Sequence, residues 1–147
     1  MRLEHTVSID APRERVWAAL MDLPAAAGCV PGTRDLVADG QGVRGTLEVR
    51  VGPVKLSLAG SVAIESRDEA AGTARLRADA ADRRIGGGVR AFVDLAVTGD
   101  VPTQLQVSSD VAILGRIGEL GQPLIARQAD KMLAAFADCL RRTVAAG

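Results

Sequence analysis

The chain has 147 residues, with 18 basic and 18 acidic side chains and no net charge, which is the size of one domain with a substantial core. Hydrophobic residues make up 48%, yet there are two Phe, one Trp and no Tyr, so the interior is built from aliphatic side chains, Ala and Gly. Interleaved charges without a basic face or an aromatic stripe exclude a nucleic-acid-binding surface, and no run reaches the roughly 18–20 apolar residues of a membrane span.

Residues 2–10 alternate as a strand, with Leu3, His5, Val7 and Ile9 on one face and Glu4, Thr6, Ser8 and Asp10 on the other. Because this alternation begins at the N-terminus, MRLEHTVSID reads as a strand and not as a signal peptide. Asp10 and Pro12 then signal a helix start, a capping carboxylate followed by a proline in the first turn. That helix carries Val16, Leu20 and Leu23 on one stripe, widened by Trp17 and Met21, and the Ala-rich segment before Pro31-Gly32 gives a second short helix or turn.

Five strands are expected next, at about 34–39, 42–51, 54–66, 72–81 and 88–98, with a further one at about 104–114. Val43, Leu47, Val49 and Val51 alternate with Arg44, Thr46, Glu48 and Arg50. Val54, Leu56, Leu58, Val62 and Ile64 do the same against Lys55, Ser57, Ser61 and Glu65, and so do Leu76, Ala78 and Ala80 against Arg75, Arg77 and Asp79. This is an antiparallel sheet, dry on one face and wet on the other. From Arg116 the period becomes 3.6: Ile117, Leu120, Leu124, Gln128, Met132, Phe136 and Leu140 form a stripe, interrupted early by Gly118, Gly121 and Pro123, so that the regular helix starts near Gln122. The expected fold is therefore α+β, a single domain over 1–147 in helix-grip form, with about six to seven antiparallel strands wrapped around a long C-terminal helix.

Catalytic chemistry finds little support in these residues. His5 is the sole histidine and shares the inward parity, where a hydrogen-bonded core residue is the simpler reading. The strand carboxylates Glu48, Glu65, Asp79, Asp94 and Asp110 fall on the outward parity, and Ser109 has no evident base. One histidine and two separated cysteines do not make a metal site. Gly86-Gly87-Gly88 lacks the spacing of a nucleotide loop and reads as a hairpin connection, or as a loop at a cavity mouth. Cys29 and Cys139 lie far apart with no neighbouring ligands, the pattern of two reduced thiols in a soluble cytoplasmic protein.

The segment SIDAPRERVWAALMD resembles the START-like superfamily of polyketide cyclases and lipid-transfer proteins. CVPGTRDL at 29–36, RVGPVKLSLAGSVAIESRDE at 50–69, the triple glycine, VSSDVAILGRIGELGQPLI at 107–125 and KMLAAFADCL at 131–140 are similar to the carbon monoxide dehydrogenase G-subunit family, block after block along the chain. The resemblance implies a non-catalytic accessory protein for a molybdenum-containing carbon monoxide dehydrogenase. Such a protein would tether the enzyme to the inner membrane face or carry an isoprenoid quinone between membrane and enzyme. Longer members of that family continue past the terminal helix into a tail suited to membrane attachment. This sequence ends at Gly147, a departure that weighs against a permanent anchor and leaves carriage of a quinone or lipid, with transient membrane contact.

A ligand pocket would be lined by Leu47, Val49, Leu56, Leu58, Leu76, Ala91, Val93 and Val107 from the sheet and closed by Trp17, Leu20, Leu124 and Met132 from the helices. Ser109 and Gln128 have the parity and stripe position to bond a quinone carbonyl. Their other reading is a hydroxyl on a backbone carbonyl and an amide in water. Val30 and Pro31 sit where a helix-grip cavity would open, or simply form a rigid turn. Small aliphatic walls leave room for a cavity, although tight Ala/Gly packing would close it. A filled core would make the protein a pure docking factor, and converging inward polar groups would make it a small cyclase or hydrolase.

Overall fold

The computed structural model describes residues 1–146. Strand β1 (Arg2–Ile9) is followed by helices α1 (Arg13–Met21) and α2 (Leu23–Gly28). Strands β2 (Thr33–Asp39), β3 (Gly42–Val51), β4 (Val54–Asp68), β5 (Thr73–Ala81), β6 (Gly87–Gly99) and β7 (Thr103–Gly115) come next. A short 3-10 helix (Arg116–Leu120) leads into helix α3 (Gln122–Ala146). The seven strands form one antiparallel sheet in the order β1-β7-β6-β5-β4-β3-β2, so the first two strands of the chain occupy opposite edges. The 25 residues of α3 span about 38 Å at ~1.5 Å per residue, enough to cross the sheet.

The alternation read from sequence sets the inner face. Leu3, Ser109, Val93, Leu76 and Ile64 pair across five strands as one row, and Val111, Ala91, Ala78, Val62 and Val43 form the next. A third row, Ile113, Val89, Ala80, Gly60 and Gly45, is smaller still toward β3. β4 keeps its parity only as far as Ile64. A bulge at Glu65 shifts the register, so Arg67 pairs with Ala74 at the far end of the strand.

Two apolar clusters pin α3 at its ends. Near its C-terminal half, Ala137, Leu140 and Val144 pack with Val7, Ile9, Val16, Trp17, Leu20, Leu95, Val97 and Leu105. Arg15 donates to the Val144 carbonyl at 3.0 Å, and the Arg141 guanidinium reaches the Ser8 carbonyl at 3.1 Å, tying the same end to α1 and β1. At the other end, Ile117 joins Val51, Leu56 and Leu58, with Leu120, Leu124 and Ile125 packed against them.

Three expectations are corrected. The carboxylate that caps α1 is not Asp10: Arg13 donates its backbone N–H to Asp100, 2.9 Å away in the β6–β7 connection, while Pro12 occupies the cap position without a side-chain bond. Asp22 ends α1 and caps α2 by accepting from the Ala25 N–H at 3.4 Å, so Leu23 opens a second helix instead of continuing the first stripe. The cysteines are not separate thiols either. Cys29, just after α2, and Cys139, on α3, form a disulfide with their Cα atoms 5.4 Å apart. With that pairing, the cysteine argument for a reducing compartment no longer applies.

Candidate ligand-binding groove

In the middle of α3, Asp130 bonds His5 and Leu133 packs against the first cluster, while one stripe of the helix is less covered. Gln128, Ala129 and Met132 on the helix, and Val62, Ala78, Ser109 and Val111 beneath, are each half-buried and belong to neither cluster. The cause is side-chain size. Ala78 and Ala80 are small residues of the inner face, and at Gly60 a side chain would strike the Asp79 carbonyl of the next strand.

A groove of about 500 Å3 opens beside this stretch, between α3 and the end of β3. Val49, Leu124 and Met132 supply its apolar walls, Gln128 an amide, Pro31 and Gly32 one lip, and Gly52 another. Glu48, Arg50, Arg127 and Lys131 complete it. The groove exists because β3 outruns its neighbour: Thr33 pairs with Leu47, and past that point β3 has no strand on its outer edge. The Gly32 carbonyl accepts from the Glu48 N–H at 2.9 Å and fixes the lip. Gly32 has φ +91°, and a side chain there would run into the Glu48 carbonyl, so glycine is required.

Five of the residues expected to line a pocket therefore meet here: Pro31, Val49, Leu124, Gln128 and Met132. Val30 is half-buried next to the lip, and Leu47 is half-buried against the second cluster. The remaining ones lie elsewhere. Trp17, Leu20 and Val107 are packed inside the first cluster, with Leu76 and Val93 against it, and Leu56 and Leu58 are inside the second. Ala91 is buried in the central sheet, and Ser109 is half-buried between Leu3 and Val93, outside the groove lining.

The polar residues divide into occupied and free. Glu48 is held by Arg34 at 3.0 Å and Lys55 at 3.7 Å. His5 bonds Asp130 of α3 across 2.6 Å, the hydrogen-bonded arrangement expected for a lone inward histidine. Among the described residues, no group of three or more His, Cys, Asp or Glu could hold a metal ion. The triple glycine serves close packing: Gly86 accepts from the Arg116 N–H at 2.8 Å, and a side chain on Gly87 (φ +140°) would strike the Leu114 carbonyl, so this run lies at the 3-10 helix and not at the groove. Arg84 and Arg141 donate to the backbone carbonyls of Lys55 and Ser8.

The rim residues Arg50, Arg127 and Lys131 escape the sequence reading. Arg50 has the outward parity of β3, and parity does not register that a strand end without a neighbour brings both faces to a rim. The spacing of Arg127 and Lys131, four apart beside the Gln128–Met132 stripe, is the signal that points to them.

No described helix is long and apolar enough to cross a membrane. Comparison with curated proteins finds no match. Among solved structures, a conserved protein from Geobacillus kaustophilus is similar with a TM-score of 0.87 at 19% identity, over 99% of this chain and 95% of that one. The Zhui aromatase/cyclase from Streptomyces sp. R1128 is similar with a TM-score of 0.68 at 19% identity, over 98% and 93%. A START superfamily protein from Mycobacterium smegmatis gives 0.64 at 18% identity, over 97% and 96%. The sheet order and the long terminal helix are those of the START-like helix-grip fold. The model of the CoxG family, the G-subunit of carbon monoxide dehydrogenase, matches residues 6–145, nearly the whole length of the sheet and its helix, and the chain belongs to that family.

Proposed function

We propose that this protein is a non-catalytic accessory factor that binds a hydrophobic small molecule, a quinone or lipid, in the groove between α3 and β3. It would serve a molybdenum-containing carbon monoxide dehydrogenase-type enzyme, by delivering the quinone or by bringing the enzyme to the cytoplasmic face of the inner membrane. The observation that carries this reading is a groove of about 500 Å3 beside α3, with Val49, Leu124 and Met132 as its apolar walls and Gln128 among its polar groups. That volume falls within the ~300–1,000 Å3 of small-molecule sites, and burial against Val49, Leu124 and Met132 would contribute roughly 25 cal/mol per Å2 of apolar surface. Membership of the CoxG family supports the link to a dehydrogenase.

A cyclase-type activity is the second reading, suggested by the fold shared with an aromatase/cyclase. Against it, the one carboxylate lining the groove, Glu48, is neutralised by two cations, and His5 is turned to Asp130. The test is organic extraction of the purified protein with mass spectrometry against a mock purification, followed by uptake of an added short-chain quinone. Stoichiometric quinone or lipid supports a carrier. An empty extract with no uptake removes the binding role and favours a docking factor.

A further inference from the structure

We propose that the groove selects an amphiphile with an oxyanion head, a single-chain carboxylate, with the head among Arg50, Arg127 and Lys131 and the chain along Val49, Leu124 and Met132. This rests on the reading that the groove takes a hydrophobic ligand, and it adds the charge of that ligand's head.

The argument begins with a local imbalance. The whole chain carries 18 bases and 18 acids, but the groove gathers three cations and one carboxylate. That carboxylate, Glu48, already has Arg34 at 3.0 Å and Lys55 at 3.7 Å. Among the described residues, the ion pairs involve Arg2, His5, Arg34, Arg44, Lys55, Arg75, Arg77, Arg84, Arg90 and Arg141 as cations, and none of the three rim cations. Nine of the 18 Lys and Arg side chains have no ion-pair partner among the described residues, and three of those nine share this groove.

Position sharpens this. Arg127 and Lys131 are one turn apart on α3, where like charges repel and weaken a helix; an anion between them removes that cost. Arg50, at the end of β3, lines the same groove, so both elements that border it contribute positive groups. Arginine offers a planar fork that matches a carboxylate in two parallel bonds, and lysine adds a point charge. A neutral quinone carbonyl engages such groups weakly.

The groove, of about 500 Å3 and open to solvent, has room for a head group and the adjoining part of an apolar chain.

The experiment compares dodecanoate with dodecanol, the same chain with and without the charge, by titration calorimetry on the full chain below their aggregation limits. The wild type should prefer dodecanoate by about tenfold or more, as charge-assisted bonds are roughly twice as strong as neutral ones. In the Arg127→Gln/Lys131→Gln double variant that preference should fall to within about twofold, while Arg83→Gln, an exposed arginine outside the groove, keeps it. Circular dichroism confirms that the variants are folded. Equal affinity for the two probes in the wild type overturns the charged-head proposal and leaves hydrophobic binding intact. Binding of neither probe overturns the charged-head proposal, and overturns the binding role as well only when the short-chain quinone is also not taken up. Capture by phosphatidylglycerol vesicles with no binding of free dodecanoate also overturns it, in favour of a membrane surface.

Discussion

Asp82 is a carboxylate with almost no exposure, and it is stitched to three backbone donors. Ser57 N–H lies 2.8 Å from one oxygen, and the Arg84 and Ile85 N–H groups lie 3.0 and 3.2 Å from the other. These bonds, the Ser57 bond foremost, hold its pKa below the ordinary carboxylate value despite the opposing cost of burial, with the Arg84 guanidinium adding to them. The sign follows directly. A depressed folded pKa means that stability from Asp82 is fully present above the unfolded value near ~3.9 and is lost as pH falls through the lower folded value. Asp82→Asn, whose amide presents an N–H to one set of these donors, should lower Tm at pH 7. The gap to wild type should then narrow below about pH 4. A gap that stays constant from pH 7 to pH 3 would remove Asp82 from the acid limb of the stability curve.

At the scale of elements, α3 is buried to different depths along its length. Leu140 is 1% exposed within the first cluster, whereas Met132 is half-buried over the small-residue floor. Leu140→Ala should cost about 2–5 kcal/mol in urea unfolding. Met132→Ala should cost less than about 1 kcal/mol, because less of its surface leaves water on folding. Equal losses at the two positions would mean that the middle of the helix is packed, and the groove would be a surface crease. The strands themselves are legible in the chain because a period of two is a local signal: all seven strands are found, with edges off by a residue or two. The start of α3 at Gln122 is legible for a similar reason, since Gly121 and Pro123 mark it. The cap of α1 is not, because Asp100 arrives from 87 residues away. Site lining fares in between. Parity separates inner from outer residues, but it does not tell Leu58, sealed in a cluster, from Val49 at the open end of β3.

Across the whole molecule, the disulfide joins the segment leading into β2 to the far half of α3, over a sequence separation of 110. Nothing local announces it; the two cysteines meet because α2 and α3 stand at the same corner of the sheet, where Cys29 is buried. Closing so long a loop restricts the unfolded chain, and Cys139→Ser should lower stability by about 2–4 kcal/mol. The direct check is maleimide labelling in denaturant without reductant. No label is expected, and two labels per chain would return both cysteines to the thiol state.

The same bond makes a ring of covalent structure from residue 29 to residue 139, and strands β2 to β7 all lie within it. A protease that cuts any of the turns joining those strands, at Gly40 or Gly52-Pro53 for example, opens the ring without parting it. The nicked protein would run as one species on a denaturing gel until reductant is added and as two fragments afterwards. Damage to a surface turn would thus leave both halves of the sheet attached to the helix they enclose.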